Sequence, residues 1–196
     1  MISQLRRISV SADNFVDTGI GGEDRLQRLW APYRMNYIAT KPRTEKKSDP
    51  FVQIPTLPDE EGLIVARGEL VYCLLNLFPY NSGHCMVVPY RKVANLEDLT
   101  LEESAELMLF AQSVVKVIKS VSNPDAFNVG FNLGRASGGS IGDHLHLHVV
   151  PRWSGDANFM TVLGETKVLP QLLRDTRKIL AAEWAQRDDL PGTARP

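Results

Sequence analysis

Three of the four histidines in this chain alternate with apolar residues in the run His144-Leu145-His146-Leu147-His148-Val149-Val150, which is followed at once by Pro151-Arg152-Trp153. In a β-strand successive side chains leave opposite faces, so an extended run of this kind puts the three imidazoles on one face and Leu145, Leu147 and Val149 on the other. Burying that apolar face contributes about 1.5–3 kcal/mol per side chain. The segment therefore reads as a half-buried strand that presents a row of histidines. Of all side chains imidazole has the ordinary pKa nearest neutrality, so such a row can combine a neutral nucleophile with groups that hold or move a proton. Two histidines at i and i+2 on a strand can also share a zinc ion, provided folding supplies a third ligand such as His84 or Cys85. The residues by themselves leave catalysis and metal binding both open.

The remainder of the chain reads as the parts needed to support that strand. With 196 residues, 43% of them hydrophobic, the chain can bury one core, and its length favours a single domain. A formal charge of −1 gives no broad basic field, which argues against a nucleic-acid partner. No apolar run is long enough to span a bilayer, and Met1–Ser9 lacks the apolar centre of a secretory signal, so no membrane partner and a cytoplasmic location are expected. Cys73 and Cys85 lie in apolar runs and read as reduced core thiols.

Residues 1–22 show no periodicity and read as a flexible tail or arm, with one domain over 23–186 and a frayed tail over 187–196. A short helix from Asp24, carrying Leu26, Leu29 and Trp30, is stopped by Pro32. Residues 41–58, rich in Lys, Pro, Ser and Asp, read as the stretch with the least order. Leu63–Ala66 and Leu70–Leu75 read as a hairpin around Arg67-Gly68, and His84–Val88 as a third strand. Thr100 and Glu103 have the spacing of a capping box. The helix it opens, about twenty residues long, carries an apolar stripe at Leu101, Ala105, Met108, Ala111, Val115 and Ile118 and ends before Asn123-Pro124. Phe127–Leu133 is a strand that can pair antiparallel with the histidine strand, and Val168–Trp184 is a closing helix with Leu169, Leu172, Leu173, Thr176 and Leu180 on one side. The expected architecture is α+β, a mainly antiparallel sheet of about five strands with two principal helices.

The turn Ser137-Gly138-Gly139-Ser140-Ile141-Gly142 can bring backbone N–H groups and a hydroxyl close to an anion, because glycine permits the close approach that such a nest requires. Set directly before three histidines, it places a phosphate cradle beside a nucleophile. Together these residues resemble the signature of the histidine triad (HIT) family of nucleotide hydrolases and transferases. Asn81-Ser82-Gly83-His84 resembles the family's upstream loop, and Phe127–Asn132 the strand before its glycine-rich turn. The likeness covers residues 24–184. Leu29–Tyr37, Pro151-Arg152-Trp153 and Gly155–Phe159 are most similar to the bacterial, actinobacterial, diadenosine tetraphosphate phosphorylases of that superfamily.

The resemblance implies a HIT-like fold, a homo-oligomer, and phosphorolysis of diadenosine tetraphosphate to ADP and ATP through a covalent adenylyl-histidine. It makes His146 the nucleophile, with His144 and His148 orienting it and moving protons. It assigns His84 to the site, Asn76 to ribose hydroxyls, Asn132, Gly139 and Ser140 to the phosphates, and Trp153 to a base or a phosphate-binding loop. The implied partners are the dinucleotide and inorganic phosphate. No metal is expected to serve the nucleophile, magnesium entering only with the phosphate-rich substrate. Many HIT hydrolases carry glutamine after the glycine that precedes the triad, whereas Ser140 follows Gly139 here. A small hydroxyl leaves room and a donor for an incoming phosphate, the difference between a phosphorylase and a hydrolase of dinucleoside polyphosphates or nucleoside phosphoramidates. Outside enzymes, the same row suits a metal-binding or nucleotide-sensing module.

Overall fold

The computed structural model describes residues 49–137, 141–156 and 169–194. All of them belong to the second of the two units into which the chain divides, Met1–Lys41 and Pro42–Pro196. The sequence-based tail at residues 1–22 and the helix from Asp24 therefore lie outside the described residues.

Five strands, β1 (Ile64–Arg67), β2 (Val71–Leu75), β3 (Cys85–Pro89), β4 (Ala126–Phe131) and β5 (Leu147–Arg152), form one antiparallel sheet in the order β1-β2-β3-β5-β4. The expected hairpin, third strand and β4–β5 pair all form. Alternation divides the sheet into two faces. Val71, Cys73, Leu75, Cys85, Val87, Leu147 and Val149 pack with α2 (Leu101–Ser122) and α3 (Leu173–Ala185) in the main core. Tyr72, Leu74, Met86 and Val88 look the other way, clustering with Ile64 of β1 and with Phe51 from outside the sheet. Met86 is the cross-strand partner of His148, so this second face is the histidine face.

The segment expected to have the least order is partly helical. Asp49 caps a single turn, α1 (Pro50–Gln53), its Oδ1 accepting the Phe51 N–H at 3.0 Å, and a 3₁₀ turn follows over Ile54–Thr56. Proline at the first helical position behind an aspartate cap is a helix-start signal that the polar composition of the stretch conceals. Phe51 is the anchor, buried against the histidine face.

The capping box of α2 is present, Glu103 N–H to Thr100 Oγ1 and Thr100 N–H to the Glu103 carboxylate. The C-terminal half of the expected stripe holds, Ala111 and Ile118 being buried and Val115 packed against the core, but its N-terminal half does not. Glu103, Leu107, Phe110, Ala111, Val114, Val117 and Ile118 are buried, whereas Leu101, Ala105 and Met108 face outward. In its first half α2 buries the side that carries Leu107 and Phe110, whose ring meets the Trp184 ring at 5.3 Å. In α3, Thr176, Arg177, Leu180, Ala181 and Trp184 are buried and Leu172, ahead of the helix, is exposed. Residues 187–194 do not fray. The Thr193 N–H donates to the Arg67 carbonyl at 2.8 Å and the Arg67 N–H to the Thr193 carbonyl at 2.7 Å, extending β1 by one bridge. The Trp184 indole N–H donates to the Pro191 carbonyl at 2.9 Å. No helix among the described residues is long and apolar enough to cross a membrane.

The β1–β2 turn is tied to α2 by Glu106, whose carboxylate accepts the N–H groups of Glu69 at 2.8 Å and Leu70 at 2.7 Å. A Cβ on Gly68 would strike Glu106 Oε1 and lie 2.8 Å from two ring carbons of Phe110. Gly68→Ala is therefore expected to cost about 1–3 kcal/mol in chemical denaturation. Gly130→Ala, where a Cβ meets nothing within 4 Å, is the matched control and is expected to cost much less. Equal stabilities would show that the turn yields without strain.

Candidate active site

β5 begins at Leu147, so His144 and His146 precede the strand rather than lying in it. The alternation nevertheless continues through them, because the Leu145 N–H donates to the Val93 carbonyl at 2.6 Å and pins the extended approach. All three histidines, and His84 just before β3, are at most 8% exposed. Their ring nitrogens are therefore assigned by protein partners rather than by bulk water.

Each proton position follows from a partner of fixed polarity. The Tyr80 backbone N–H can only donate, and it points at His84 Nδ1 at 3.0 Å. The proton of neutral His84 is therefore on Nε2, which lies 2.9 Å from His148 Nδ1. Accepting there, neutral His148 carries its own proton on Nε2, 3.2 Å from the Asn132 amide, whose oxygen accepts it once turned inward. His146 Nδ1 lies 2.8 Å from the His144 carbonyl, which can only accept. Nδ1 is thus the protonated nitrogen of His146, and its Nε2 keeps a free lone pair. His144 differs from the rest: Nδ1 faces Asp49 Oδ2 at 3.0 Å and Nε2 faces the Pro89 carbonyl at 2.8 Å. Both nitrogens of this ring therefore face acceptors.

Burial favours the neutral imidazoles, since a charge in this setting loses its hydration. It pushes His84 down to about 3, with charge on His148 and His146 acting in the same direction. His148 falls to about 4 through burial and the neighbouring His146. His146 also lies below the ordinary imidazole value; burial dominates, opposed by the His144 carbonyl and by Asp49. The rings are close-packed, His146 on His148 at 4.8 Å and Tyr80 over His84 at 4.7 Å and His148 at 5.8 Å. Phe51 closes the other side, 5.5 Å from His144 and 5.0 Å from His146.

Among the candidates from sequence, the fold gathers His84, His144, His146, His148, Asn76 and Asn132. The Asn76 amide nitrogen is 3.4 Å from His84 Nδ1, and its Oδ1 accepts the Phe78 N–H at 2.9 Å. Gly139 and Ser140 lie outside the described residues. Trp153 does not join the group: it is five residues beyond His148, about 16 Å along an extended chain, and its indole N–H donates to the Ser122 carbonyl at 3.4 Å. Three participants were not singled out from sequence, namely Asp49, Phe51 and Tyr80. The Asp49-Pro50 helix start signalled the first two, while Tyr80 lay in a loop matched only through its neighbours. Among the described residues no group of three or more His, Cys, Asp or Glu side chains is placed to hold a metal ion. Cys85 projects to the helix face, and His84 Nε2 is engaged by His148.

A lone-pair-bearing imidazole backed by a carbonyl and packed against neutral His148, itself held by neutral His84, is an arrangement for attack on an electrophile. The HIT domain family model matches residues 58–155, and the chain belongs to the HIT domain family. A protein of Mycobacterium tuberculosis named AP-4-A phosphorylase is 62% identical over 177 residues, 87% of this chain and 91% of that protein. The bis(5'-adenosyl)-triphosphatase of Dictyostelium discoideum is 37% identical over 84 residues, 43% of this chain and 56% of that protein. The crystal structure of a histidine triad nucleotide-binding protein from Sulfolobus tokodaii superposes with a TM-score of 0.57 at 25% identity, over 69% of this chain and 91% of that one.

Proposed function

We propose that this chain is a diadenosine tetraphosphate phosphorylase that works through an adenylylated His146. The observation that carries the reading is the His146 tautomer: with its proton held at Nδ1 by the His144 carbonyl at 2.8 Å, Nε2 is available to attack without prior loss of a proton. In the first step Nε2 bonds to the α-phosphorus, the bond to the bridging oxygen breaks, and ATP departs. His148, with its N–H on Nε2, donates a hydrogen bond to that oxygen and gives up no proton, ATP leaving as its anion, and Asn132 holds the N–H in place until substrate arrives. In the second step an oxygen of inorganic phosphate attacks the adenylyl phosphorus, the P–N bond breaks, and ADP leaves with His146 restored. The length of the match to the M. tuberculosis protein supports this substrate and acceptor.

Asn76 is the residue for ribose hydroxyls, and Gly139 and Ser140 for the phosphates, the small hydroxyl leaving space for the second anion. Trp153, just beyond β5, makes no contact with the histidines and is left to a base or a phosphate-binding loop. Among the described residues no carboxylate pair lies beside the histidines, both oxygens of Asp49 being engaged, and magnesium is assigned to the substrate's own phosphates and water. The assembly is a homo-oligomer in this reading. β4 is an edge strand with exposed Val129, and Leu133, Leu101 and Met108 are exposed as well. The buried, unpaired thiols of Cys73 and Cys85 suit the cytoplasm.

Product analysis with diadenosine tetraphosphate tests the assignment. ADP and ATP in equal amounts, released catalytically only when phosphate is added, are expected. AMP and ATP formed equally well in water alone would instead make the chain a hydrolase, the activity named for its Dictyostelium relative. Binding without any turnover would make it a sensor.

A further inference from the structure

The carboxylate of Asp49 touches the histidine row although it lies 95 residues upstream of His144. Its two oxygens do separate things. Oδ1 accepts the Phe51 N–H and caps α1, while Oδ2 faces His144 Nδ1 at 3.0 Å and Lys92 Nζ at 3.3 Å. From His144 the connection continues without a gap: Nε2 donates to the Pro89 carbonyl at the end of β3, which fixes the ring, and the His144 backbone carbonyl accepts the His146 Nδ1–H. We propose that Asp49 is a positioning residue for the nucleophile, acting through His144 to hold the carbonyl that keeps the His146 proton on Nδ1 and its lone pair on Nε2. The inference rests on the phosphorylase reading for its kinetic consequence but not for its structural one.

Two features argue that the contact is more than a helix cap. A cap needs one oxygen, and here the second is directed into a nearly closed site, where Asp49 is part-buried and His144 is 1% exposed. The carboxyl is also kept below its ordinary range. Burial alone would raise it, but the His144 bond and charge, the Phe51 N–H and Lys92 together outweigh burial. The aspartate also carries Phe51 with it, whose ring lies against both His144 and His146. The short segment 49–51 thus clamps the two residues that decide where the nucleophile points.

Serine separates the two roles, since it caps helices well but is too short to reach His144. In the full chain, Asp49→Ser is expected to lower kcat for diadenosine tetraphosphate about a hundredfold, the cost of letting a reacting group drift by about an ångström, with KM changed less than about threefold. Asp49→Asn keeps the shape and the cap and can still offer an amide oxygen to His144 Nδ1, so it is expected to recover part of that loss. Imidazole N–H proton resonances give the readout that a cap would not move. Asp49→Ser should lose the His144 Nδ1–H signal and shift or broaden that of His146, with the melting curve still cooperative. Wild-type kcat together with an unmoved His146 signal in Asp49→Ser would overturn the proposal. If the substrate assignment itself fails, no variant or wild type will cleave diadenosine tetraphosphate, and the resonances alone decide the role of Asp49.

Discussion

Alanine in place of His146 is expected to lower the rate of diadenosine tetraphosphate cleavage by about four orders of magnitude or more, with nucleotide affinity remaining within a few-fold of wild type. The bond from Nε2 to phosphorus exists only from the transition state onward, so deleting the imidazole removes little that the ground state uses. Neighbouring histidines cannot substitute. His148 carries its proton on Nε2 and accepts at Nδ1 from His84, and both nitrogens of His144 face acceptors. Because the His146 ring packs on Phe51 and His148, alanine leaves a small cavity, and His146→Asn provides a polar partner for comparison. Single-turnover rates and equilibrium binding of a non-cleavable dinucleotide measure the two quantities separately. A variant within tenfold of the wild-type rate would remove His146 from the chemistry.

The fold should lose stability on the order of a few kcal/mol as the pH falls from neutrality toward 4, well before ordinary carboxylate protonation can account for it. In the unfolded chain the histidines take up protons as the pH passes below about 6.5. In the fold His84 resists down to about 3 and His148 to about 4, and His146 is depressed as well. Between these limits the unfolded state binds more protons, so stability is full above the unfolded value and falls as acid is added, the loss being complete below the folded values. Asp49, also held below its ordinary range, adds to the loss only at the acid end. Urea denaturation at pH 7.5 and 4.5 measures the difference. His84→Gln, which can accept from the Tyr80 N–H and donate to His148 in the same way without titrating, is expected to reduce it. A stability that does not change over this interval would mean that the histidines are not buried neutral.

The histidine run made the site legible because alternation fixes both faces of an extended segment at once. Leu147 and Val149 entered the core, and His148 faces its partners on the other side of the sheet. Local patterns also sufficed for the β1–β2 hairpin and for the capping box at Thr100. What sequence left undetermined were choices between equivalent periodicities. Leu101, Ala105 and Met108 are spaced as regularly as Leu107, Phe110 and Val114, and the position of Phe110 against Trp184 selects between them. The strand order and the pairing of β3 with β5 depend on closure between distant segments. The contribution of Asp49 was hidden for the same reason. Its neighbours in sequence are polar and proline-rich, and its partner in space is His144. The bridge from Arg67 to Thr193 likewise depends on where α3 delivers the chain, which the residues 187–194 do not themselves encode.

The account stands most directly on the covalent intermediate. Wild-type protein mixed with excess diadenosine tetraphosphate in the absence of phosphate should release ATP in a burst of one equivalent per chain and then stall. Mass spectrometry of the quenched protein should find one adenylyl group on His146, and a chase with phosphate should discharge it as ADP. ATP release without a burst, or an adenylyl group carried by any residue other than His146, would contradict it.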